Sequence, residues 1–175
     1  MLKKSLLICF SCFFCLAFFV PEKVSKKADA VIAKFYKTKD FSKEVLVISE
    51  HMNAKTAADF SDENLFKITS EGEHLGYGYI GNAPSKTATF HYLVLFDTEF
   101  IITKSKVLIY REEYGGEIGS KRWLKQFIGA STEKQFTYNQ DIIPISGATI
   151  SVQSMTRSMN RLLESLTYLK KNKQL

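Results

Sequence analysis

Thr89-Phe90-His91-Tyr92-Leu93-Val94-Leu95-Phe96 is the stretch on which the fold turns. Side chains of a strand point alternately to its two faces. Tyr92, Val94 and Phe96 therefore share one face, and His91, Leu93 and Leu95 share the other. Both faces are largely apolar, which predicts a central strand covered on both sides. Working outward, Phe100 to Tyr110 reads as a second strong strand, and Asp97-Thr98-Glu99 between the two predicts a hairpin. Gly76-Tyr77-Gly78-Tyr79-Ile80-Gly81 reads as a strand with glycines where side chains would crowd, and Val45 to Ile48 as a short one. Lys27 to Lys37 has apolar residues at Ala28, Val31, Ile32, Phe35 and Tyr36, which is helical spacing. Asn53 to Phe66 carries no clear periodicity.

The clearest helix runs from about Ile150 to Leu169. Val152, Met155, Met159, Leu162, Leu163, Leu166 and Leu169 form its apolar face, opposite Gln153, Ser154, Arg157, Asn160, Arg161 and Glu164. Lys121 to Phe127 predicts a helical turn with Trp123, Leu124 and Phe127 inward, ended by Gly129, and Phe136 to Ile145 reads as extended. The expected class is α+β: an antiparallel sheet with flanking helices and a long C-terminal helix.

The chain of 175 residues suits one domain with its own core. Its formal charge of +6 is modest and partly confined to local lysine groups, and no basic stripe interleaved with aromatics is visible, so nucleic acid is not an expected partner. Met1 to Lys4 is basic, and Leu6 to Val20 is apolar except for Ser11. That pattern predicts a signal peptide or signal anchor over residues 1–22, a domain over 28–169 and a basic tail over 170–175. The run is short for a spanning helix. With Lys3 and Lys4 held inside, the rest is expected to be exported, to the periplasm or the outer face of the cytoplasmic membrane. Cys9, Cys12 and Cys15 all fall in the apolar run, so a mature domain would have neither disulfide nor thiolate.

Ser146-Gly147-Ala148-Thr149-Ile150-Ser151 opens the C-terminal helix. The first turn of a helix leaves N–H groups without partners and favours an anion. Gly147 and Ala148 let a bulky oxyanion approach, and three hydroxyls flank them. Residue types alone leave two readings open, a plain N-cap or a phosphate site, and the cap is the commoner use of such residues.

This segment resembles the flavinylation segment of the FMN-binding domain family, which includes flavin subunits of the sodium-pumping NADH:quinone oxidoreductase and of the Rnf complex. Further stretches resemble the family in order: Gly76-Tyr77-Gly78-Tyr79, the acidic loop Tyr110-Arg111-Glu112-Glu113-Tyr114-Gly115-Gly116-Glu117-Ile118, and Trp123-Leu124-Lys125-Gln126-Phe127-Ile128-Gly129. The resemblance covers about Ala28 to Leu166. It implies FMN as cofactor, linked through its phosphate to Thr149 by a flavin transferase. It implies contacts from Ser146, Gly147, Ala148, Ile150 and Ser151, and from Glu112, Glu113, Tyr114, Gly115, Gly116 and Ile118 in the loop. The acidic residues, with Glu117, would lower the flavin potential.

The implied function is exported electron transfer, a redox carrier between a membrane redox partner and another carrier rather than a stand-alone enzyme. The family's transferase reads an aspartate three positions before the serine; Ile143 stands there, with Asp141 two residues earlier. That departure defines the alternative, an exported accessory or binding module on the same fold that holds FMN without a bond or not at all. His51, His74 and His91 lack ligand spacing, so no metal site is expected. Asp59, Asp62 and Glu63 read as a solvated loop, and Trp123 reads as core rather than a flavin stack.

Overall fold

The computed structural model describes residues 20–60 and 63–175. The predicted signal segment therefore lies almost wholly outside the described residues, with its three cysteines, and so does Asp62. Helix α1 spans Glu22–Tyr36, five residues ahead of the expected start, and Lys37 closes it in a left-handed conformation. The strands are β1 Ser42–Val45, β2 Leu65–Ser70, β3 Glu73–Pro84, β4 Thr89–Phe96 and β5 Ile102–Ile109. Helix α2, Glu50–Asn53, sits between β1 and β2, and α3, Lys121–Leu124, follows β5. Helix α4 spans Thr149–Lys171.

The five strands form one antiparallel meander in the order β1-β2-β3-β4-β5. Two cores flank it. On one face Val24, Ala28 and Ile32 of α1 pack with Phe66, Ile68, Ile80, Leu93, Leu95 and Leu108. On the other, α4 packs with Tyr79, Phe90, Tyr92, Val94, Phe96 and Val107. Strand β4 is thus buried on both faces, as its sequence predicts. All seven residues of the expected apolar stripe of α4 are fully buried. Leu93→Ala is expected to cost about 2–5 kcal/mol, because the hole would lie between sheet and α1 with neither free to collapse. Denaturant unfolding should show a lower midpoint at unchanged slope.

Three expectations are corrected. Leu46 to Ile48 is not the first strand; β1 is the polar Ser42–Val45 at the sheet edge, and the apolar side chains of Leu46 and Ile48 pack into the α4-side core instead. Strand β2 fills the stretch left unassigned at Phe66; its pairing with β3, not its own alternation, defines it. Phe136 to Ile145 is not extended. It curls at 137–142, where Asp141 accepts from Thr137 N–H at 2.8 Å and from Lys134 Nζ at 2.8 Å. Polar side chains of α4 also serve packing. Asn160 holds both the N–H and the carbonyl of Phe136, at 2.8 and 2.9 Å, and the Ser165 hydroxyl accepts from Ala58 N–H at 2.9 Å.

Candidate functional site

Helix α4 starts without a side-chain cap. Its N-cap position is Ala148, and no side chain of the described residues accepts from the first-turn N–H groups. The cap reading of Ser146, Thr149 and Ser151 is thereby set aside. Ser146, Gly147, Thr149 and Ile150 are exposed, while Ala148 and Ser151 are buried. Gly147 has φ +74°, a left-handed conformation that turns the chain sharply into the helix. What remains is an open helix end presenting one threonine and one serine hydroxyl to solvent.

The acidic loop lies directly against this end. Gly115 has φ +77°, and a Cβ built there would stand 2.3 Å from the Cβ of Ala148. Only glycine allows both the backbone and the contact. Tyr110 fastens the two segments. Its hydroxyl donates to the Tyr114 carbonyl at 3.2 Å and lies 3.1 Å from Ser151 Oγ, which donates to it in turn. Ser151 is therefore turned inward as a tie. Ile118 is fully buried, whereas Tyr114 is 75% exposed over Gly147. Glu113 and Gly116 face solvent, and a Cβ on Gly116 would meet nothing within 4 Å.

Glu112 points elsewhere. Its carboxylate closes the hairpin turn between β3 and β4, accepting from Thr87 N–H at 2.7 Å, Thr87 Oγ1 at 2.8 Å and Ala88 N–H at 3.2 Å. The Ser85 hydroxyl beside it, then the Thr87 and Ala88 donors, push its pKa down from 4.5 to about 2. The carboxylate thus stays ionised in the fold where the unfolded chain would protonate it. Its contribution is complete above about pH 4.5 and is lost as pH falls toward 2. Glu112→Gln should therefore unfold at a lower temperature than the parent at pH 6, and the two melting curves should converge as the pH drops through that window.

The Trp-to-Gly segment forms the far wall. Ser120 caps α3 by accepting from Trp123 N–H at 3.2 Å. The buried Trp123 donates through Nε1 to the Ile143 carbonyl at 2.8 Å, and Ile143 N–H donates to Gln126 Oε1 at 2.7 Å. Trp123 is core, as expected, yet with Gln126 it clamps the backbone that leads into Ser146. Between these elements and Ser146 lies a cleft of about 540 Å³, with Glu117, Arg122, Ile143 and Pro144 on its walls. The Ile143 side chain is 65% exposed. Asp141, the nearest acid in sequence, is occupied by Lys134 and Thr137, and those partners hold its carboxyl below the usual range.

The structure thus brings the 110–118 loop and the 146–151 segment together, apart from Glu112. It leaves Gly76–Tyr79 away from them, within β3. Gln126 and Arg122 were not singled out as site residues; Gln126 lies in the Trp-to-Gly segment and Arg122 stands immediately before it. His91 lies at the sheet margin beside Arg111, whose guanidinium is 3.4 Å from its Nδ1; burial, then Arg111, pushes its pKa below 6.5. No group of three or more His, Cys, Asp or Glu residues suited to a metal occurs among the described residues.

The model of the FMN-binding domain family matches residues 86–164, a little under half of the chain. That span starts at the β3–β4 turn and ends within α4, so it contains both the acidic loop and the Ser146–Ser151 segment. The crystal structure of NqrC from Shewanella oneidensis has a similar fold, with a TM-score of 0.50, 15% sequence identity, and coverage of 77% of this chain and 70% of that one. No curated protein matches the sequence. Residues 86–164 of this chain match the FMN-binding domain family, and FMN is the cofactor that this match supports.

Proposed function

We propose that this protein is an exported electron carrier whose FMN is fixed through its phosphate to Thr149 by a flavin transferase. The observation that carries this is the uncapped, exposed first turn of α4 within the FMN-binding domain, held in place by the Gly115–Ala148 contact. An anion is favoured at such an end by the free N–H groups and the helix dipole. Thr149 offers its hydroxyl to an enzyme from solvent, and Gly147 keeps the approach open. The neighbouring cleft has an apolar wall in Ile143 and Pro144 and polar groups in Glu117, Arg122 and Gln126, the mixture that suits a flat, partly polar ring.

The bound flavin supplies the redox chemistry. The chain's residues hold and orient it. Tyr110 and Gly115 fix the loop to the helix, Trp123 and Gln126 fix the cleft wall, and Glu113 and Glu117 place negative charge nearby. Such a domain would relay electrons between a membrane redox partner and another carrier.

One feature favours the second reading, a module that holds FMN without a bond. Ile143 presents an exposed apolar side chain where the family's transferase reads an aspartate, and Asp141 is already engaged. Co-expression with a flavin transferase separates the two. A denaturing gel viewed under ultraviolet light should show a fluorescent band at the size of the chain. A yellow native protein with a dark denatured band would remove the covalent link and keep the cofactor.

A further inference from the structure

The outer face of α1 has no part in the flavin site, and its charge is arranged. Lys23, Lys26, Lys27 and Lys34 recur at helical spacing, with Ala30 among them and Lys37 continuing the line at the C-terminal end. Residues three, four, seven and eleven apart share one side of a helix. All five lysines and Ala30 are exposed, while Val24, Ala28 and Ile32 on the other side are fully buried against the sheet. Acidic neighbours compensate little. Glu22 pairs with Lys26 at 2.6 Å, and Asp29 turns off the stripe to Lys43 at 2.6 Å. Lys27 also reaches the Leu108 carbonyl at 3.1 Å. Among the described residues, Lys23, Lys34 and Lys37 form no ion pair. Shallow recesses flank Ala30, one bordered by Lys23, Lys26 and Lys27 and the other by Lys34 and Lys37.

We infer that this stripe docks on an anionic phospholipid surface, with headgroup phosphates over the Ala30 recesses. Two observations favour lipid over an acidic protein. The stripe is a straight line of flexible cations on a convex helix with no apolar pocket between them, which suits a flat charged surface. The apolar run Leu6 to Val20 also ends at the first turn of α1, so a membrane holding that run meets the start of the stripe. The inference does not depend on how FMN is held.

Docking would also orient the flavin. Lys27 of α1 reaches the end of β5, and Ser151 of α4 reaches Tyr110 just beyond it. Both helices therefore begin at the same end of the sheet, on opposite faces, so the cofactor end of the domain lies on the anchor side.

The test uses the full chain reconstituted in vesicles, either of phosphatidylcholine alone or with a third of the lipid replaced by phosphatidylglycerol. A membrane-impermeant amine-acylating reagent is applied, and peptides are quantified by mass spectrometry. Labelling of Lys23, Lys34 and Lys37 is read against Lys121 and Lys125 on the same molecules, which cancels differences in insertion. The ratio should fall at least threefold in the anionic vesicles and recover in high salt. Equal ratios in the two vesicle types would overturn the inference. Protection by added polyglutamate in neutral vesicles, with none from anionic lipid, would overturn it in favour of an acidic protein partner.

Discussion

Thr149→Ala should leave no flavin on the denatured chain. Among the exposed residues at the open helix end only Ser146 and Thr149 carry a hydroxyl, and Thr149 is the first residue of the helix itself. Ser151 cannot substitute, because it is buried and tied to Tyr110. The fluorescent band should therefore vanish completely, and Thr149→Ser, which keeps a hydroxyl in the same place, should retain a measurable part of it. The first-turn N–H groups and the cleft survive both changes. Native Thr149→Ala protein mixed with FMN should thus still bind it reversibly, seen as quenching of flavin fluorescence. If the Thr149→Ala band is as bright as the parent's, the attachment lies elsewhere and this assignment fails.

Gly115→Ala is expected to have the second largest effect, and for a reason that can be dissected. A non-glycine residue at a left-handed φ costs about 1–2 kcal/mol. Forcing a methyl against Ala148 adds about 1–3 kcal/mol of overpacking. The total of about 2–5 kcal/mol should appear as a lower unfolding midpoint. Ala148→Gly removes the methyl that Gly115→Ala would strike, so the double variant should recover the overpacking part and keep the backbone part. A double variant no more stable than Gly115→Ala alone would show that the contact is not what demands glycine. Flavin loading of the folded Gly115→Ala protein should fall too, because the strain is relieved by moving Ala148, and Thr149 moves with it.

Much of the fold was legible because its signals are local. Strand β4 has two apolar faces whatever surrounds it, and the stripe of α4 spells out its buried side residue by residue. Strands β1 and β2 were not legible for the opposite reason. An edge strand such as Ser42–Val45 satisfies only one side of its backbone and needs no apolar alternation, so only its partner reveals it. The site divides in the same way. The Ser146–Ser151 segment and the acidic loop stood out by composition, but their contact rests on Gly115 meeting Ala148, which no spacing encodes. Glu112 shared the loop's composition with Glu113 yet serves the β3–β4 turn, and the roles of Trp123 and Gln126 appear only once the chain folds back at 137–142.

The helix that carries the cofactor position is also the element that seals the α4-side core. Phe90, Tyr92, Val94 and Phe96 would face water until α4, which follows every strand in the chain, has docked. The uncapped turn, the Tyr110 tie and the Gly115 contact come into being with that docking. An attaching enzyme that needs this geometry would therefore mark only finished molecules, so the flavin would serve as a certificate of complete folding. By linkage, ligand held at that turn favours the docked helix over the loose one, and loaded protein should melt above empty protein.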